Sequence, residues 1–307
     1  MPKPGHSAAS RSEESPRSSE ASLRLRLGRL ERVFGRGFLD TDPVGVVRRY
    51  ERPDDRELVG LLAAGLAYGN VSAIRGSLDR LLAVLGPRPS SFLESYDPAR
   101  DARRFEGFSH RFTRGRDVAL LLWLVRQARE RAGTVERFFL EGDPDPGAPT
   151  LEEAMSAFGR RLFSLDARPF HADGRVPPKD GARWLLPLPE GGSVCKRHCL
   201  FLRWMVRPED GVDCGAWTGT SAGRLVVPLD VHLQRVAQAL GWTRRRSPTW
   251  GMALEVTGAL RRLDPADPTR YDFALSRLGI LGLLRSRGGR LGRRAMIEVM
   301  DDACARG

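Results

Sequence analysis

Apolar residues along this chain recur at intervals of three and four and almost nowhere alternate, which confines the fold to packed helices. The pattern turns helical at Leu23 and mostly stays so. Residues 58–67 read as a buried helix, followed by Val71, Ile74, Leu78, Leu81, Leu82 and Leu85 at helical spacing. Further helices are predicted over 117–132, 151–165, 231–240, 248–263 and 268–283. Pro53-Asp54-Asp55-Arg56-Glu57 reads as an N-cap with a carboxylate three residues on, a capping-box variant. Gly69-Asn70 and Gly86-Pro87 break the pattern, and residues 142–149 and 168–192 are loop-rich. Arg224-Leu225-Val226-Val227 is the best short strand candidate. The expectation is an all-α fold of many helices joined mostly by short loops.

Within that frame the basic residues are unevenly chosen. Of 50 Lys and Arg only three are Lys: Lys3, Lys179 and Lys196. Lys3 falls in a polar tail and Lys179 in a Pro/Gly-rich loop. Lys196 sits inside the apolar segment Ser193-Val194-Cys195-Lys196-Arg197-His198-Cys199-Leu200-Phe201. An amine can lose a proton and attack carbon, whereas a guanidinium effectively cannot. Asp230, in Pro228-Leu229-Asp230-Val231-His232, follows 34 positions later and opens a predicted helix. Two readings fit: a nucleophile with a partner carboxylate, or a solvated lysine and a simple N-cap.

A chain of 307 residues can bury a sizeable core as one domain or two lobes. No apolar run approaches the length of a membrane helix, and no secretory signal is visible, so a cytoplasmic protein without a membrane partner is expected. Cys195, Cys199, Cys214 and Cys304 are too few and too irregular for a disulfide framework, and their spacing lacks a usual zinc pattern. Buried thiols, no metal and no cofactor are expected. The net charge of +12 favours a polyanionic partner, unless it only reflects an Arg-rich composition. Residues 1–22 are predicted to form a disordered tail, 23–284 the helical domain with insert-rich loops at 142–192 and 207–227, and 285–307 a basic tail.

Three segments carry a likeness. Leu188-Pro189-Glu190-Gly191-Gly192-Ser193 leads to Lys196, Pro228-Leu229-Asp230-Val231-His232 follows, and Ala67-Tyr68-Gly69-Asn70 interrupts two apolar helices upstream. Their order and spacing resemble the helix-hairpin-helix DNA glycosylases, the superfamily of endonuclease III and 8-oxoguanine glycosylase. The likeness is nearest to a bacterial branch termed domain of unknown function 2400, where Asp272-Phe273-Ala274 and Gly279-Ile280 also look typical. It spans roughly residues 40–283. The chain departs from the pattern in its hairpin, where Gly-x-Gly becomes Gly191-Gly192. The lysine-to-aspartate gap is also wider than in endonuclease III, so about 15 residues including Trp217 must loop out.

The resemblance implies a two-lobed helical fold with an imperfect helix-hairpin-helix. It also implies a monomeric, nucleoid-associated base-excision glycosylase acting on damaged double-stranded DNA, with possible Schiff-base lyase activity. Lys196 and Asp230 would be catalytic. Gly191, Gly192 and Ser193 would hold a phosphate through backbone N–H groups. Tyr68 or Asn70 would fill the gap left by an extruded base. Trp217 and His232 would belong to the base pocket, and Arg244 and Arg245 would contact phosphate. The four-cysteine iron–sulfur motif of endonuclease III is missing, so no cluster is expected. The alternative is the same fold binding nucleic acid without chemistry.

Overall fold

The computed structural model describes residues 16–284 and 291–306. It is 61% helix and 1% strand, as the spacing of apolar residues requires. The elements run α1 (Pro16–Val33), α2 (Val44–Val47), α3 (Pro53–Gly65), α4 (Val71–Leu85), α5 (Pro89–Glu94) and α6 (Pro98–Asp101). A two-residue hairpin, β1 (Ser109–His110) and β2 (Thr113–Arg114), precedes α7 (Gly115–Ala132). Then come α8 (Val135–Leu140), α9 (Glu152–Phe163), α10 (Gly181–Leu185) and α11 (Lys196–Val206). The chain closes with α12 (Val231–Leu240), α13 (Trp250–Leu263), α14 (Asp272–Ile280) and α15 (Arg293–Arg306). No helix among the described residues is long and apolar enough to cross a membrane.

The two predicted tails are partly helix. Residues 16–22 are part of α1. Residues 293–306 form α15, which buries Met296, Met300 and Ala303 and packs against α1, α12 and α14. A stripe of Met and Ala on an Arg-rich helix is a weak hydropathy signal, and composition hid it. Residues 1–15 and 285–290 of those tails lie outside the described residues.

The predicted capping box at α3 is not formed. Pro53 starts that helix, Arg52 precedes it without a side-chain cap, and the Asp55 and Glu57 carboxylates turn to other helices. Asp55 Oδ1 accepts the N–H of Ser90 in the first turn of α5. Glu57 accepts the N–H groups of Val135 and Glu136, the first two residues of α8, and the indole N–H of Trp217. Helix N-termini carry unpaired donors and partial positive charge, so a buried carboxylate there answers both needs. The start of α3 thus anchors two later helices.

The insert between α11 and α12 folds inward rather than looping out. The N–H groups of Cys214 and Trp217 bond the carbonyls of Trp204 and Met205, which satisfies the last turn of α11. The expected strand does not form: Arg224 ends a 3-10 turn, and residues 225–227 are buried but pair with no strand among the described residues; Val227 N–H bonds Thr257 Oγ1 instead.

Replacing Glu57 by Ala leaves three buried donors without an acceptor. Urea denaturation of E57A is expected to show a loss of at least about 3 kcal/mol. A loss below about 1 kcal/mol would remove Glu57 from its anchoring role.

Candidate functional site

Two helix N-termini converge on one cleft of about 420 Å³. Lys196 is the first residue of α11 and lies half-buried on its wall. Asp230, also half-buried, is the N-cap of α12 on the same cleft. Its Oδ1 accepts the N–H groups of His232 and Leu233, at 2.9 and 2.8 Å. Among the described residues its Oδ2 takes no hydrogen bond. The N-cap role and an available carboxylate oxygen therefore coexist in one side chain. His232 lines the cleft too, its Nδ1 buried without a hydrogen-bond partner among the described residues and pressed against Gly279 of α14. A Cβ at Gly279 would lie 2.3 Å from that nitrogen, so the close approach of α12 to α14 requires glycine there.

The cleft floor is a buried ion network. Arg203 of α11 pairs with Asp213 through Nη2 at 2.8 Å, and its Nε lies 2.9 Å from Oδ1 of Asp272. That second contact is out of line for a hydrogen bond, which leaves Asp272 Oδ1 with an unfilled acceptor site. Arg277 pairs with Asp42 at 2.8 Å and lies over the Phe273 ring. Burial pushes the Asp272 carboxyl up to about 7, against the pull of Arg203. Asp272 is fully buried yet lines the cleft. Burial thus favours its protonated, donor form more than water does.

Sequence reasoning noted Asp272 only as part of a family-like stretch, and missed Arg203, Arg277 and Asp42. A signal was present: an Arg at a helical position otherwise facing apolar neighbours calls for a buried carboxylate. The partner carboxylates lie tens to hundreds of residues away, which spacing alone does not reveal.

Other expected site residues fall differently. Tyr68 lines the cleft, but its hydroxyl donates to the His110 carbonyl, meets Thr113 Oγ1 and accepts the Thr113 N–H. It is a fixed wall, not a free plug. Asn70 is exposed at the following turn, where its side chain caps α4. Gly191 and Gly192 are exposed, yet their N–H groups bond the carbonyls of Leu188 and Pro189 within a 3-10 turn. They do not offer the expected phosphate cradle. Ser193 Oγ accepts the Cys195 N–H just ahead of α11. Trp217 is not in the pocket at all: it is buried between Phe139 and Phe201 and bonded to Glu57. Arg244 is exposed, whereas Arg245 is tied to Glu255 at 2.8 Å.

The thiols are packing groups. Cys195, Cys199 and Cys214 are buried, and burial pushes Cys195 up to about 12 and Cys214 up to about 11. Burial likewise holds His198 down to about 3. Among the described residues no group of three or more His, Cys, Asp or Glu is arranged to hold a metal ion.

Because Asp272 binds its proton more tightly folded than unfolded, its contribution to stability is full below about pH 4 and is lost as pH rises through about 7. Urea denaturation of the wild type minus that of D272N is expected to fall over this window. A pH-independent difference would contradict the assignment.

A family model described as a protein of unknown function (DUF2400) matches residues 42–281. That stretch holds every residue lining the cleft except Thr41. The chain matches no curated protein and no solved structure.

Proposed function

Since the chain belongs to the DUF2400 family, whose function is unknown, we propose from the cleft itself that it is a DNA base-excision glycosylase, with Schiff-base lyase activity. The observation that carries this reading is that Lys196 and Asp230, 34 residues apart, line one cleft from two helix N-termini. The helix-hairpin-helix resemblance, the two-lobed arrangement and the DNA partner rest on the same proposal. The +12 charge suits a polyanionic substrate.

The chemistry follows from the side chains. A base inside a duplex is out of reach, so the nucleotide is extruded into the cleft at a cost of a few kcal/mol. The Lys196 amine attacks the sugar C1′, and its lone pair forms the new C–N bond as the bond to the base breaks. The base leaves with the electron pair of the broken C1′–base bond and takes up a proton, and the lysine nitrogen sheds one. Positive charge develops on the sugar, and the Asp230 carboxylate stabilises it across the cleft. Ring opening then gives a protonated Schiff base. Loss of a C2′ proton expels the 3′ phosphate and nicks the strand. Asp272, holding or releasing a proton near neutrality, faces the departing base from the floor.

A second reading is favoured by Gly191 and Gly192, whose engaged N–H groups weaken the hairpin as a phosphate anchor. In that reading the fold binds nucleic acid without chemistry.

Single-turnover incision on duplexes carrying 8-oxoguanine, uracil, oxidised pyrimidines or an abasic site separates the two. The expected result is turnover on one of these, abolished in K196Q and reduced about 10²–10³-fold in D230N, with duplex affinity little changed. Salt-sensitive binding without turnover on any duplex would favour the binding protein, and full activity of K196Q would remove Lys196 as nucleophile.

A further inference from the structure

A second cleft, of about 530 Å³, opens on the other side of the α11 N-terminus. Lys196 faces the first cleft, and the next residue, Arg197, lines the second. Arg197 is 9% exposed. Among the described residues no carboxylate lies within ion-pair distance, and its hydrogen bond is a long one, 3.4 Å to the Gly65 carbonyl. Burial pushes its pKa down, offset only in part by Tyr68 and Cys195. The guanidinium is sandwiched between the rings of Tyr68 and Trp184, 5.1 and 4.9 Å from their centroids. An almost fully buried cation without a counter-charge is costly to keep, unless an anion completes the site.

The rim of this cleft is aromatic and open. Phe112, at the tip of the β1–β2 hairpin, is 70% exposed, and Trp184 is 52% exposed. Their ring centroids are 6.3 Å apart at 81°, and Phe112 lies nearly parallel to Tyr68. Two large rings held at the surface by a hairpin and a helix cost hydration, and they offer flat faces for a planar ligand. The acids on this cleft are already engaged: Asp180 with Arg116 and His171, Glu190 with Arg160. Lys179, the other lysine of the folded region, is exposed on the same cleft.

We propose that this second cleft holds an unpaired nucleotide, its base stacked on one of the Phe112 and Trp184 rings with the other standing at its edge, and its phosphate drawn to Arg197 and Lys179. Lys196 and Arg197 are consecutive, so their α-carbons are about 3.8 Å apart. One nucleic-acid strand therefore crosses the start of α11, with one nucleotide in each cleft. The preferred substrate is DNA carrying a run of unpaired nucleotides rather than an intact duplex. The inference rests on the nucleic-acid part of the proposed function and not on its chemistry.

Fluorescence anisotropy with two labelled oligonucleotides of equal length tests it, one fully paired and one with a central bulge of unpaired nucleotides. The wild type is expected to bind the bulged form about 10-fold or more tighter. The F112A/W184A double variant, altered only at exposed side chains, is expected to lose that preference by about 5- to 100-fold, with paired-duplex affinity unchanged. A wild type without preference for the bulge, or a double variant that keeps it, overturns the second cleft and leaves the Lys196 site standing. Failure of the wild type to bind either oligonucleotide overturns both.

Discussion

A buried exchange of guanidinium and carboxylate groups fixes the geometry on which everything else depends. Arg203 lies in the last turn of α11 and Arg207 directly follows its end, and Asp213, from the segment after it, pairs with both. Arg207 also takes Asp210 and Asp267, at 2.7 and 2.8 Å. Arg203 reaches Asp272 at the start of α14, and Arg277, further along α14, reaches back to Asp42. Arg203, Asp213 and Asp272 are almost fully buried, so removing one of them would leave a buried charge uncompensated. The network sets how α11 lies against α14. Because α12 packs on α14 through His232 and Gly279, it also sets where Asp230 stands relative to Lys196.

The helices were legible because their apolar stripes are wide and regular. The predicted 231–240 coincides with α12, and 117–132 falls two residues short of the start of α7. Where the stripe narrows, as at Met296, Met300 and Ala303, composition suggested a tail and packing produced a helix. Lys196 stood out because an amine in an apolar segment of an Arg-rich chain is chemically odd, and Asp230 because it opens a helix. Trp217 misled for the opposite reason. A Trp in a Gly-rich insert looks available for stacking, yet Glu57, 160 residues upstream, draws its indole into the core. Long-range polar pairing of that kind has no local signature. The exposed rings of Phe112 and Trp184 were passed over too, since exposure belongs to the fold and not to the residue type.

The two clefts share one short piece of backbone. At Cys195 the chain adopts a left-handed conformation, φ +50°, immediately before α11 begins. A non-glycine residue there is strained and persists only where its surroundings dictate it. Consecutive residues of a helix point about 100° apart, so Lys196 and Arg197 leave the start of α11 toward different clefts. On the proposed reading, that placement divides labour between a reacting nucleotide and its neighbour, and the aromatic rim compensates for the weak hairpin anchor at Gly191-Gly192.

Sodium borohydride trapping of the purified protein on an abasic-site duplex, followed by peptide mapping of the adduct, tests the central claim most directly. The account predicts a reduced covalent adduct whose mass increment maps to the side chain of Lys196. An adduct on Lys179 or the N-terminal amine, or none on any lesion duplex, would contradict it.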